Sequence, residues 1–129
     1  MDDTLDSEIL QIGEIAAEVR EEFEQGTVNL SILTSLYSKH TFVENMNLFL
    51  SRARVMFPMG NCGLTSVYLQ SVLGGDVRRG WYKTLPHTFL LLDERLVVDI
   101  TSDQFGGPKV YVGYFGCPYS IAKEKIGTS

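Results

Sequence analysis

The apolar pattern of the chain changes at Gly74 and Gly75, and this change limits the folds that the sequence can adopt. Before the glycine pair, apolar residues recur every three or four positions, which is the spacing of one face of an amphipathic helix. After it, short runs of valine, leucine, isoleucine and aromatic residues are separated by turn-forming residues, which is typical of antiparallel strands. Helices followed by strands predict an α+β fold in which a helical layer covers one face of a sheet.

Four helices and about four strands are expected from these patterns. A helical stripe covers residues 5–23, a shorter helix is expected over 29–40, and a further helical pattern runs over 64–72. Thr41 and Glu44 have the spacing of a capping box, which predicts that the third helix begins there. An antiparallel meander is expected from the runs "RRGWYKT", "HTFLLLD", "RLVVDIT" and "KVYVGYF".

Length and charge narrow the class of protein. The chain has 129 residues, of which 44% are hydrophobic, so we expect one domain over 1–129. Its N-terminal part, 1–56, is expected to be helical, and 57–129 to contain the helix that carries Cys62 and the antiparallel sheet. The net charge of -5 argues against binding to nucleic acid, which requires clustered lysine and arginine. No signal peptide and no apolar run long enough to span a bilayer are visible, so we expect no contact with membranes.

Two cysteines, Cys62 and Cys117, are too few for a disulfide framework, and we expect both to be reduced thiols. Cys62 lies where the loop "FPMGN" meets the start of the fourth helix. The free amides of a helix N-terminus lower the pKa of a thiol and favour the reactive thiolate. Taken alone, Cys62 is better explained as a small buried apolar residue, so a catalytic interpretation depends on its neighbours.

His87 and Asp99 are the candidate partners of Cys62. His87 opens a strand, so we expect its imidazole at an end of the sheet, where it can act as general base and acid. A three-residue turn over 93–95 places Asp99 on the same face as His87, where a carboxylate can orient the ring, whereas a two-residue turn places it on the opposite face. The alternative for Asp99 is a hydrogen bond to backbone amides at the end of a strand.

The segments "GNCGLTSVYLQSVLGG", "HTFLLLDERLVVDITSDQF" and "VYVG" resemble a known family. They are similar to the papain-fold toxin domains of bacterial polymorphic toxin and effector systems, within the papain-like and transglutaminase-like cysteine enzymes. The resemblance covers roughly residues 60–113. It implies a papain-like α+β fold with Cys62 as nucleophile, His87 as general base and acid, and Asp99 as the orienting carboxylate.

The resemblance also implies a biological role. The expected activity is that of a cysteine protease that acts as a toxin or effector and cleaves a protein of the target cell through a thioester, without a cofactor. A larger secretion system would deliver the domain into the cytoplasm of that cell, and a cognate immunity protein would block its active site. The alternatives are a glutamine deamidase or transglutaminase with the same Cys-His core, and an inactive binding module on the same scaffold.

Two departures from the family affect the oxyanion site. The interval between nucleophile and histidine is far shorter than in the larger papain relatives, and Met56 stands where they carry a glutamine upstream of the cysteine. The candidate oxyanion donors are the backbone N–H of Cys62 and the side chains of Asn61 and Gln104. Gln104 is also an alternative to Asp99 as the third member of the site.

Other residues allow two interpretations each. Trp81 and Tyr82 either have a functional role, as the wall of a substrate groove or as a shield of the His87–Asp99 pair from water, or they pack in the core. Arg78 and Arg79 either meet an acidic segment of a substrate or inhibitor, or are simply solvated near a turn. Cys117 lacks a following histidine and is expected to be a packing residue. Because the cysteines and histidines are not at metal-ligand spacing, no metal site is expected.

Overall fold

Four α-helices precede a five-stranded antiparallel sheet in the computed structural model, which describes residues 3–121. The helices are α1 (Asp3–Gln25), α2 (Leu30–Ser38), α3 (Met46–Met56) and α4 (Cys62–Leu73). The strands are β1 (Asp76–Tyr82), β2 (Leu85–Leu92), β3 (Leu96–Asp99), β4 (Tyr111–Tyr114) and β5 (Tyr119–Ile121), and a 3-10 turn (Ser102–Phe105) follows β3. The α+β class predicted from the sequence is confirmed.

The start of α3 differs from the prediction. The capping box at Thr41 and Glu44 is wrong, because the helix begins only at Met46. Asn45 has an extended backbone and its side chain accepts a hydrogen bond of 3.1 Å from the backbone amide of Leu48. Asparagine is among the strongest N-cap residues, so this local hydrogen bond sets the start of the helix.

Cys62 is the first residue of α4, as the sequence predicts. The helix ends after Leu73 at Gly74, whose positive φ of 81° is a backbone conformation that glycine adopts without strain. Buried residues of α4 include Leu64 and Val67, so the helix is anchored in the core from its first turn. The thiol is therefore held at the N-terminal end of a well-packed helix.

The sheet has the strand order β4-β3-β2-β1-β5. Strands β1 to β4 form the predicted meander, in which each strand pairs with the next. The fifth strand has no counterpart in the sequence-based prediction: β5 returns to the free edge of β1, where Tyr119 pairs with Tyr82. Because β5 has three residues and follows Pro118, its sequence lacks the alternation that identifies a strand.

The two faces of the sheet belong to different hydrophobic clusters. Leu90 and Val98 face the helices and pack with residues such as Leu64 of α4. On the opposite face, Phe89 and Val97 belong to a second, largely aromatic cluster. Residues 89–91 of β2 are buried on both faces of the sheet, which explains why the strand ends in the apolar run "FLLL". Within residues 3–121, no helix combines the length and the apolar character required to cross a bilayer.

Arg20 ties α1 to the segment that follows β3. Its guanidinium donates to the backbone oxygen of Ile100 at 2.9 Å and to both carboxylate oxygens of Asp103 at 2.8 and 2.9 Å. It also lies 4.7 Å from the ring centroid of Phe57. Because Arg20 is only 6% exposed, removing either member of the pair leaves a charge in a partly buried position.

We predict that Arg20→Ala lowers the free energy of unfolding by about 3 kcal/mol, because it leaves the carboxylate of Asp103 without its bidentate partner. Urea denaturation followed by circular dichroism measures the change. Arg52→Ala is the matched control, since Arg52 is exposed on α3 and such substitutions change stability by less than about 0.5 kcal/mol. Equal losses in the two variants would show that Arg20 has no special structural role.

Candidate active site

The turn between β2 and β3 determines whether the predicted histidine and aspartate can meet. Leu92 pairs with Leu96, which leaves a turn of three residues, 93–95. With this odd-length turn His87 and Asp99 share one face of the sheet. Nε2 of His87 lies 2.7 Å from Oδ2 of Asp99. The geometric condition derived from the sequence is thus met, and the predicted contact is present.

Asp99 is the centre of a buried hydrogen-bond network. Its Oδ2 accepts from Tyr119 Oη at 2.7 Å in addition to His87, and its Oδ1 accepts from the backbone amide and the hydroxyl of Thr101 at 3.0 and 3.3 Å. The side chain therefore serves both interpretations of the sequence, because one oxygen binds the strand end and the other binds the imidazole. As the carboxylate only accepts, Nε2 of His87 carries the hydrogen, and Nδ1 is left for other chemistry.

The imidazole of His87 is enclosed by aromatic rings. The rings of Phe105, Tyr82, Phe89 and Tyr119 lie with their centroids 5.0, 6.2, 6.2 and 6.4 Å from that of His87. His87 is 3% exposed as a result. Such a dry environment strengthens the hydrogen bond between the imidazole and the carboxylate.

The two aromatic residues considered for substrate binding have different positions. Tyr82 is only 7% exposed and packs against His87, so the structure supports its alternative as a core residue and contradicts its place in the wall of an open groove. Trp81 points to the other face of β1, towards the helices, and is half-buried. A contact between Trp81 and substrate stays a prediction.

Helix α4 brings Cys62 onto β2 beside the histidine. Ser66 lies one turn after Cys62 on the same face of the helix, and its hydroxyl donates to the backbone oxygen of Thr88 at 3.3 Å. Thr88 immediately follows His87, so the first turn of α4 rests on the strand segment that carries the imidazole. Nδ1 of His87 is buried and has no hydrogen-bond partner among the residues that the structure describes.

The thiol and the imidazole change each other's ionisation. Burial acts to raise the pKa of Cys62, but the His87 side chain together with the backbone amide and hydroxyl of Thr88 outweighs it, and the pKa is lowered. Burial acts to lower the pKa of His87, but Asp99 and Cys62 raise it to about 9. A lowered thiol pKa beside a raised imidazole pKa favours a thiolate and imidazolium pair at neutral pH.

Two of the predicted oxyanion donors, the side chains of Asn61 and Gln104, differ in their hydrogen bonding. Both hydrogens of the Asn61 amide are used, because Nδ2 donates to the backbone oxygens of Ala53 at 2.8 Å and Met59 at 3.0 Å. Contrary to the expectation, this side chain braces the loop before α4 and is not free for an oxyanion. Nε2 of Gln104 is buried and has no partner in the described part of the chain. Asp99, and not Gln104, holds the imidazole.

Three residues near the site are absent from the sequence-based prediction. Thr88 lowers the pKa of the Cys62 thiol and directly follows His87, so its position in the motif "HTF" could have identified it from sequence. Tyr119 reaches Asp99 from β5, which the pattern did not reveal. Tyr37 comes from α2, and its hydroxyl lies 3.2 Å from the position that a Cβ on Gly63 would occupy.

A cavity of about 600 Å³ has a lining that does not include Cys62. It is formed mainly by the end of α1, by α2 and α3, and by the loop before α4, and its lining includes Phe23, Leu33, Leu50 and Asn61. Among the lining residues, Asn61 directly precedes Cys62, and its side chain is hydrogen-bonded to the loop before α4. Cys62, His87 and Asp99 are not among the residues that line the cavity.

Comparison of the chain with protein-family models, with curated proteins and with solved structures finds no match. The site is therefore interpreted from its own geometry, which consists of a thiol at a helix start, a buried imidazole and a buried carboxylate. A cysteine, a base and a group that orients the base form the arrangement of nucleophilic catalysis.

We predict that iodoacetamide labels Cys62 about tenfold faster than Cys117 at pH 6.5, although Cys117 is the more exposed residue. The reason is the lowered pKa of Cys62, which keeps the reactive thiolate present below the usual pH range. Peptide mass spectrometry of samples quenched at intervals gives both rates.

His87→Gln is the comparison variant for this measurement. Without the imidazolium, the pKa of Cys62 rises, and the pH at which labelling reaches half its maximal rate rises with it. An unchanged pH profile would show that the two side chains do not interact.

Proposed function

We propose that the chain is a papain-like cysteine hydrolase, and most directly a protease, in which Cys62, His87 and Asp99 act together. One observation carries the proposal. His87 donates through Nε2 to a buried carboxylate at 2.7 Å, while its buried Nδ1 has no partner in the described chain and the pKa of the adjacent thiol is lowered. A nucleophile whose base is held by a third group is the recurrent arrangement of acyl-transfer enzymes.

In the first half of the reaction, the thiolate of Cys62 attacks the carbonyl carbon of an amide. A C–S bond forms while the C=O π electrons move to oxygen. When the carbonyl re-forms, the C–N bond breaks and the leaving nitrogen takes a proton from the imidazolium of His87. The product is a thioester on Cys62, a free amine and a neutral imidazole, whose Nε2–H remains bonded to Asp99.

In the second half, water resolves the thioester. Neutral His87 accepts a proton from water through Nδ1 as the oxygen attacks the thioester carbonyl. The C–S bond then breaks, which releases a carboxylic acid and restores the thiolate and the imidazolium. In both halves the negative oxygen needs hydrogen-bond donors, and the backbone N–H of Cys62 is suited to this because the first amides of a helix lack intrahelical acceptors.

The substrate class is argued from chemistry and resemblance. Attack on a backbone amide is proteolysis, and attack on a glutamine side chain gives deamidation through the same thioester. We favour proteolysis by a toxin or effector domain that acts in the cytoplasm of a target cell and is blocked by an immunity protein. The sequence resemblance over residues 60–113 is what supports this context.

An inactive binding module is the rival from another class. Such a module has no need for an imidazole in a dry aromatic environment with a raised pKa beside a thiol with a lowered pKa. Buried ionisable groups of this kind are unfavourable for stability unless they are paired, and they concentrate at functional sites. The opposite pKa shifts of the two adjacent side chains therefore favour the enzyme.

The test is expression of wild type and Cys62→Ala in a bacterial cytoplasm, with growth curves and whole-proteome mass spectrometry. We predict slower growth and new peptide termini with wild type alone, because only that protein carries the nucleophile. Cys117→Ala is the matched control and should behave as wild type. Unit mass gains on glutamine without new termini would replace protease by deamidase, and identical results for wild type and Cys62→Ala would defeat both.

The pH dependence of turnover gives a further prediction, measured on a peptide that spans a cleaved junction. Because the pKa of His87 is raised to about 9, the imidazolium persists up to that pH and kcat/KM falls above it. Asp99→Asn removes the charge that contributes to the raised pKa, so the alkaline limb moves to lower pH and kcat falls by about 100-fold. An alkaline limb that does not move would contradict the role of Asp99.

A further inference from the structure

We propose that Arg79 and Tyr37 form an anion subsite beside Cys62, and that this subsite selects substrates with a carboxylate next to the bond that is cleaved. The catalytic consequence rests on the proposed function. The binding of a carboxylate beside Cys62 is independent of the proposed function, because binding requires only the side chains of Arg79 and Tyr37 at this position.

The register of the sheet puts Arg79 close to the thiol. Arg79 lies directly opposite Thr88 in the β1–β2 ladder, so both side chains leave the same face of the sheet, with Cβ atoms about 5 Å apart. That face is the one covered by α4, whose Ser66 bonds to the backbone oxygen of Thr88. Cys62 lies one helical turn before Ser66, over the same face of the sheet, and both Cys62 and Arg79 are close enough to Tyr37 to act on its pKa.

Arg78, the adjacent residue, provides a contrast. It lies opposite Phe89 and so points to the other face of the sheet, where it forms an ion pair with Glu94 at 3.3 Å. Arg79 is exposed and has no ion-pair partner among the residues that the structure describes. In a chain of net charge -5, an unpaired arginine beside a nucleophile is a local feature and not part of a general basic surface.

Tyr37 completes the subsite from α2. Its ring is stacked on that of Phe49, with centroids 5.4 Å apart and planes 10° apart, so the hydroxyl has a fixed position. That hydroxyl lies 3.2 Å from where a Cβ on Gly63 would be, beside the residue that follows Cys62. Burial and the charge of Cys62 raise the pKa of Tyr37, while the charge of Arg79 acts to lower it, so both charges reach the same phenol.

The chemistry of these groups favours a carboxylate. The guanidinium only donates, and a phenol that stays protonated can donate its O–H as well. One guanidinium matches the single charge and the two oxygens of a carboxylate, which it binds in bidentate fashion. The carboxylate can belong to an acidic side chain or to a chain terminus, and the final experiment distinguishes these sources.

The primary test compares two alkylating probes that differ in charge, iodoacetate and iodoacetamide. Their rate ratio at Cys62 reports the affinity of the site for a carboxylate, and the charge of His87 contributes equally in every variant. We expect Arg79→Gln to lower the iodoacetate rate by about fivefold, as expected for one charge removed from a partly solvated site. The iodoacetamide rate should stay within about twofold, which shows that the variant is folded and its thiolate intact.

Three controls make the outcome decisive. Arg78→Gln should leave the ratio unchanged, Arg79→Lys should restore most of it, and ~1 M salt should reduce the difference between wild type and Arg79→Gln. Tyr37→Phe should lower the ratio by a smaller factor, since it removes one donor and no charge. An unchanged ratio in Arg79→Gln, or an equal fall in Arg78→Gln, would overturn the proposal.

A peptide library then tests the catalytic consequence on wild type and Arg79→Gln. Preference for acidic side chains beside the cleaved bond, lost in Arg79→Gln, identifies a side-chain carboxylate, and preference for free C-termini identifies a terminal one. Cleavage without either preference would refute the selection of substrates. If Cys62→Ala and wild type are equally inert in cells while the probe ratio still depends on Arg79, the proposed function fails and the anion subsite stands.

Discussion

The site depends on the hydrogen bonds that the carboxylate of Asp99 accepts. This carboxylate is 2% exposed and accepts hydrogen bonds from an imidazole, a phenol, a hydroxyl and a backbone amide, so it links β2, β3 and β5 at one point. A buried carboxylate is tolerated only when its oxygens are satisfied in this way. The orientation of His87 therefore follows from the folding of the sheet.

The two faces of the sheet carry different parts of the site. One face holds the imidazole and the carboxylate among aromatic rings, where the exclusion of water strengthens their hydrogen bond. The other face carries α4, with the thiol at its first residue, and Arg79. The hydrogen bond between His87 and Asp99 thus lies in a dry interior, whereas Cys62 is only half-buried.

The parts of the site that were predictable from sequence depend on local rules. The pairing of His87 with Asp99 follows from strand parity and the length of one turn, and the position of Cys62 follows from a helix boundary. The role of Tyr119 was not predictable because it requires a three-residue strand to return to the far edge of the sheet. Likewise, the sequence suggested that the Asn61 amide was a free donor. The path of the preceding loop brings two backbone carbonyl groups to which this amide donates both of its hydrogens.

The contact between Arg20 and Asp103 has a consequence for how such a domain can be inherited. The two residues are 83 positions apart, yet Asp103 lies in the turn that follows the carboxylate strand. Genetic exchange that joined a foreign helical segment to this sheet would leave Asp103 and the Ile100 carbonyl without their donor. The helices and the sheet are then expected to be inherited as one unit, whereas an exposed position such as Arg79, which has no ion-pair partner within residues 3–121, is free to vary.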